Sequence, residues 1–223
     1  MSIDHHPSRH PSHHPSGETL FRHAAGSLPA GPGLVLTTHL SVCPLCRERL
    51  AGYEAVGGVM LEETAPLLMA PDALSRVLAR LDAPAHTAVA RAVTRMPDFP
   101  AGIAMPGALL AREIGAWHWF GPGRHFARVQ VPEDLRSTVI LLRVAAGRRL
   151  PAHTHVGGEY TQVLHGRFSD LNGHYRPGDL SETDESIDHQ PVVDMDGECI
   201  CLAALEGSLR LTGPLGRLIA PFM

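Results

Sequence analysis

The run THLSVCPLC places His39, Cys43 and Cys46 within eight residues, at spacing i, i+4, i+7. The CPLC pair is a tight thiolate clip. Cys43 reads as a helix cap and Pro44 as the first helical residue, a position that tolerates proline. A helix N-terminus favours thiolate, so lowered thiol pKa values are expected there. One imidazole and two thiolates leave a tetrahedral zinc one ligand short. A redox dithiol is the competing chemistry for a single CxxC. The fourth ligand must come from outside the turn, and His13, His14 and His23 are the candidates on chemistry alone.

The second constellation is GRRLPAHTHVGGEYTQVLHG, residues 147–166. It reads G-x5-H-x-H-x3-E-x6-G. His153 and His155 at i, i+2 on a strand face one side, and Glu159 opens the next strand across Gly157-Gly158. Two imidazoles and a carboxylate are thereby brought together, in the pattern of the first cupin motif. The second cupin motif is poorer. PGDL (177–180) supplies its turn, but the next histidine is His189, beyond the acidic loop SETDESID. His189 precedes the strand-like QPVVDM and is preferred over His174. Three histidines and a glutamate suit zinc, iron, manganese or nickel. Four protein ligands close a tetrahedral zinc, whereas octahedral iron or manganese keeps two positions open for substrate. Cys199 and Cys201 share one strand face. They read as small buried hydrophobes or as thiols that register oxidation near the metal.

These residues need elements to position them. Residues 5–16 repeat HHPS in degenerate form, and proline at every fourth place excludes a helix. Residues 1–12 are therefore expected to be a disordered tail. Ser16 caps a helix carrying Leu20, Phe21 and Ala24 and ending near Gly26; a second short helix spans 33–40; a third runs through Leu50 and Val56 towards Leu61. DALSRVLARLD places Leu74, Val77, Leu78 and Leu81 at i, i+3, i+4, i+7, an amphipathic helix suited to a partner's groove. Residues 13–82 thus read as a helical domain with a thin core that a metal would staple. Residues 83–104, broken by prolines, read as a linker with a helical turn or two at 86–95. Residues 105–223 read as a cupin domain, with strands at 126–131, 137–144, 159–166, 198–205 and 208–213. The expected fold is α+β multidomain: a zinc-stapled helical unit followed by an all-β, jelly-roll-like cupin barrel.

Composition narrows the function. Net charge is −4 and lysine is absent, so no basic field points to nucleic acid. No apolar run reaches the 18 or so residues of a membrane span, and the first residues lack a secretory apolar segment. A cytoplasmic protein is expected, in which four cysteines serve as thiols or metal ligands.

An HxxxCxxC helical unit ahead of an HxHxxxE cupin closely resembles the ChrR-type zinc-binding anti-sigma factors of bacteria. HHPSGETLFRHAAGSL, LVLTTHLSVCPLC, EAVGG, PAHTHVGGEYTQVLHG and IDHQP carry the resemblance. It implies that the fourth N-terminal ligand falls on His14, giving His14, His39, Cys43 and Cys46. It implies cupin ligands His153, His155, Glu159 and His189. Zinc is implied in the first set and a second metal, zinc by preference, in the cupin. The resemblance further implies an extracytoplasmic-function (ECF) sigma factor as partner, gripped by the N-terminal domain. Release would follow a stress such as singlet oxygen or organic peroxide, through the cupin, without enzymatic activity. A metal-dependent cupin dioxygenase or isomerase with an accessory zinc domain is the alternative.

Overall fold

The computed structural model describes residues 10–81, 97–100, 103 and 105–212. The expected helical turn at 86–95, most of the linker and the first nine residues lie outside them. Helices come first: α1 (Gly17–Ala24), α2 (Ala30–Val42), α3 (Pro44–Glu62), α4 (Ala73–Leu81) and the single turn α5 (Gly107–Leu110). The strands are β1 (His118–Gly121), β2 (Arg124–Arg128), β3 (Ser137–Val144), β4 (His153–Val156), β5 (Glu159–His165), β6 (Phe168–Asp170), β7 (Gly173–Tyr175), β8 (Leu180–Thr183), β9 (Val192–Val193), β10 (Cys199–Glu206) and β11 (Ser208–Leu211).

Local chemistry starts each helix. Ser16 Oγ accepts the Thr19 N–H at 3.1 Å, capping α1. Cys43 Sγ accepts the Cys46 N–H, and Pro44 follows as the first residue of α3. Helix α2 begins three residues before the expected 33–40 segment, because its start is supplied from elsewhere. Pro29 stands at its cap, and Asp134 Oδ2 accepts the Gly31 N–H at 2.9 Å across the fold. An unpaired N–H in the first turn is thereby satisfied.

The strands form a six-stranded sheet in the order β1-β2-β3-β10-β5-β8, a pair β11-β4 and a trio β7-β6-β9. The expected barrel is here three separate sheets, with isolated bridges such as His153↔His189 outside their ladders. Strand β10 runs through the middle of the large sheet, paired with β3 and β5. Its side chains alternate. Cys199 and Cys201 turn inward to Val144, Val163 and Phe168. Leu202 and Ala204 turn to the other face, which α2 covers with Leu34 and Val35. Both faces are dry, so the strand reads as a near-continuous apolar run. The next residue of α2, Leu36, turns into a third cluster with Leu20, Cys43 and Cys46. Thr38 Oγ1 also donates to Gln162 of β5.

The two outer glycines of the 147–166 motif have backbone reasons. Gly147 and Gly166 lie at φ +65° and +70°, the left-handed region that glycine enters without penalty. A Cβ on Gly166 would lie 2.0 Å from the Glu198 carbonyl oxygen, whereas one on Gly147 would meet only the end of the Met195 side chain, Sδ and Cε. Gly166→Ala is therefore expected to cost about 3 kcal/mol, left-handed strain plus a backbone clash. Gly147→Ala should cost about 1 kcal/mol, because a methionine end can swing away. Urea unfolding of the two variants checks the ranking.

Candidate metal centres

Two groups of four donors converge among the described residues: His14, His39, Cys43 and Cys46, and His153, His155, Glu159 and His189. In each group the donor atoms all lie within 4.8 Å of one another.

The first group sits where α2 ends and α3 begins. His39 comes from the last turn of α2, Cys43 caps α3, and Cys46 lies one turn further. His14 arrives from the segment ahead of α1. Its Nδ1 lies 3.4 Å from both Cys43 Sγ and Cys46 Sγ, and His39 Nε2 lies 3.4 Å from Cys46 Sγ. His39 Nδ1 donates to the Gly178 carbonyl at 2.8 Å. A carbonyl only accepts, so the proton sits on Nδ1 and the Nε2 lone pair faces the sulfurs. The competing histidines are elsewhere: His13 stacks near Tyr175, at 4.4 Å between ring centroids, and His23 lies in the last turn of α1. The expected low thiol pKa is not found at Cys46. Burial, with Cys43 beside it, pushes that thiol up to about 12, so desolvation outweighs the helix N-terminus. Without a cation the thiol keeps its proton, and a bound cation must displace it.

The second group lines the inner face of the large sheet. His153 and His155 point inward from β4, and Glu159 opens β5. His189 is set by a backbone bridge in which His153 and His189 exchange two N–H···O bonds of 3.1 Å. His174, the competitor, is exposed on β7 beside Ser169. His153 Nε2 and His155 Nε2 approach His189 Nε2 to 3.1 and 3.3 Å. Glu159 Oε2 lies 2.8 Å from His155 Nε2. The outward nitrogens are mostly committed. His153 Nδ1 donates to Pro151 O at 2.7 Å, and His189 Nδ1 to Asp170 Oδ2 at 3.0 Å. Thr161 Oγ1 donates to Glu159 Oε1 and Thr183 Oγ1 to Glu159 Oε2. Supports of this kind orient ligands in metal sites.

The charges agree with a site built around a cation. Burial acts to raise the Glu159 carboxyl, yet the adjoining His155 and His189 hold it below the usual carboxylate range. Burial acts to discharge His189, yet Asp170 and Glu159 lift it to about 9. A proton on His189 thus supplies the positive charge that the carboxylates need, and a divalent ion would take its place. Beside this group lies a cavity of about 40 Å3, walled by Val144, Leu150, Phe168 and Val193 and by Cys199 and Cys201. The two sulfurs are 3.6 Å apart. Cys201 is held well above the usual thiol range by its contact with Cys199 and by burial, which disfavours thiolate.

Both quartets were legible as residue types. Their supports, Gly178 O, Pro151 O, Asp170, Thr161 and Thr183, were not, because only folding brings them to the histidines and Glu159. Asp170 gives a test. Asp170 Oδ1 accepts the Asn172 and Gly173 N–H, so Asp170→Asn keeps its oxygen there and turns its NH2 towards His189 Nδ1, which needs an acceptor. It should weaken metal retention by the second group about tenfold or more, read by chelator competition, without altering cobalt–thiolate absorption at the first.

The comparisons with known proteins agree with this architecture. A family model for the ChrR cupin-like domain matches residues 108–207. The anti-sigma-E factor ChrR of Cereibacter sphaeroides is 35% identical over 228 residues, covering 100% of this chain and 99% of the relative. The crystal structure of Rhodobacter sphaeroides SigE in complex with the anti-sigma ChrR holds a chain 34% identical to this one, with a TM-score of 0.70. That match covers 86% of this chain and 98% of the other. A helical cysteine–histidine quartet followed by a cupin quartet, in a chain alike from end to end, places this protein in the ChrR family of anti-sigma factors.

Proposed function

We propose that the chain sequesters an ECF-type sigma factor through its helical part, residues 13–82, and releases it on an oxidative-type stress signal acting at the cupin, residues 105–223. Residues 83–104 serve as linker and 1–12 as tail. Zinc on His14, His39, Cys43 and Cys46 staples the helical part. A second metal, zinc by preference, sits on His153, His155, Glu159 and His189. The protein acts in the cytoplasm, without contact to nucleic acid or membrane and without catalysing a reaction. Cys199 and Cys201, at the cavity beside the second metal, are its candidate targets of oxidation.

The carrying observation is apolar surface left in water. Leu74, Val77, Leu78 and Leu81 of α4 are 70, 55, 52 and 74% exposed. No residue of α4 is buried, although its apolar face is well defined. Val56, Val59, Met60 and Leu61 extend that exposure along α3. A monomer gains nothing from such a surface, whereas a groove on a partner covers it. The relative's complex with SigE supports the same reading. The enzyme alternative draws less support. A cavity of about 40 Å3 takes about three water-sized molecules, far below the roughly 300 Å3 or more of a metabolite pocket.

Capture of purified ECF sigma factors from the source genome by the full chain tests the proposal. Val77 and Leu78 are over half exposed, so Val77→Asp with Leu78→Asp should weaken capture at least tenfold and leave thermal unfolding unchanged. Undiminished capture would remove α4 from the interface. Metal uptake at the first group should weaken as pH falls. The Cys46 thiol is protonated throughout the neutral range, near 12, and each proton displaced adds about one log unit of affinity per pH unit. Cobalt–thiolate absorption titrated at several pH values between about 6 and 8 measures that slope.

A further inference from the structure

The turn between β7 and β8 is the PGDL turn of the second cupin motif, with no histidine close behind it, and it does different work here. Its Asp179 side chain is fully buried. Asp179 Oδ1 accepts the Ser12 N–H at 2.6 Å and the His13 N–H at 3.1 Å. Oδ2 accepts the Arg176 N–H at 3.0 Å, the Ser12 hydroxyl at 3.2 Å and His13 Nδ1 at 3.2 Å. The Leu180 N–H returns a bond to the His13 carbonyl at 3.2 Å. Arg176 Nη2 donates to the His10 carbonyl at 3.0 Å. Residues 10–12 of the expected tail, together with His13, are therefore laid along the cupin, and the next residue is His14. One residue before Asp179, the Gly178 carbonyl holds His39. Two of the four donors of the N-terminal group are thus delivered by one cupin turn.

We infer that Asp179 is a positioning residue of the N-terminal metal centre: by clamping the Ser12 and His13 amides it sets His14 against Cys43 and Cys46, so the cupin tunes the metal affinity of the helical part. This rests on the reading that the first group holds a metal. A buried carboxylate needs donors to offset its desolvation, and the Ser12–His13 segment supplies most of those around Asp179. Clamp and metal therefore favour the same conformation, and linkage makes the effect mutual. Metal at the first group tightens the hold of residues 12–13 on the cupin, and loosening that hold weakens the metal.

The test is cobalt(II) titration of the full chain, metal-stripped and reduced, read by cobalt–thiolate charge transfer. Of the two quartets, only the first contains cysteine, so the band reports that centre. Asp179→Ala should need about tenfold or more cobalt for half-saturation. Glu206→Ala, which breaks the Arg22–Glu206 pair between α1 and the cupin without touching residues 12–14, should titrate as the wild type. A wild-type band with an unshifted Asp179→Ala titration overturns the inference and leaves the metal reading standing. An equal shift from Glu206→Ala also overturns it, by assigning the effect to general undocking. A wild type without the band removes the metal reading itself. Because Asp179 also braces its own turn, the wild type gives a second readout. Metal should slow hydrogen exchange at the Ser12, His13 and Leu180 amides, and Cys43→Ala with Cys46→Ala should abolish that protection. Exchange indifferent to metal in the wild type overturns the clamp.

Discussion

Helix α2 belongs to two cores at once, and the rest of the molecule is arranged around that fact. Leu34 and Val35 complete the apolar layer over the large sheet, whereas Leu36 fills the small cluster under α1 and α3. A helix buried on opposite sides cannot be amphipathic in the ordinary sense. It also cannot leave the sheet without exposing one of its faces. Its last turn carries His39, so the first candidate metal centre is anchored to the packing of the sheet. Its start is held by Asp134, whose burial acts to raise its carboxyl but whose backbone partners at Gly31, Ser137 and Arg136 keep it ionised.

The large sheet then acts as a partition one strand thick. Glu159 faces the inner cluster, while neighbouring Tyr160 and Gln162 face the helices. On β8, Thr183 donates to Glu159, while Glu182 accepts from Ser16 and from Thr19 of α1. Strand β8 therefore holds Glu159 of the second quartet on one face and, on the other, the helical part that carries the first. A change in how Glu159 is held must pass through residues whose immediate neighbours grip the helical part.

How much of this was legible depended on where the information sits along the chain. The cap at Ser16, the Cys43-Pro44 start, the HxHxxxE hairpin and β3 at Ser137–Val144 are local, and sequence spacing found them. The length of α2 was not, because its stop signal at Cys43 is local but the group that starts it is Asp134, about a hundred residues away. The short strands β6 and β7 carry three residues each, too few for a period to show. The thiol chemistry of Cys46 was misjudged because helix position is visible in a sequence and burial is not. The preference for His189 over His174 rested on a plausible following strand. The deciding contact is the backbone bridge to His153, which no side-chain pattern encodes.

Chain order gives the Gly178–His39 contact one more meaning. The two residues are 139 positions apart, and His13 and Asp179 are 166 apart. A bacterial ribosome adds about 5–20 residues per second. Every newborn copy therefore spends about 5–20 s with Cys43, Cys46, His14, His39 and its exposed helices already made, and with the turn that steadies them still untranslated. The helical part is therefore made before the cupin turn that holds His13 and His39 can reach it, and docking of that turn is a late event in the life of each chain.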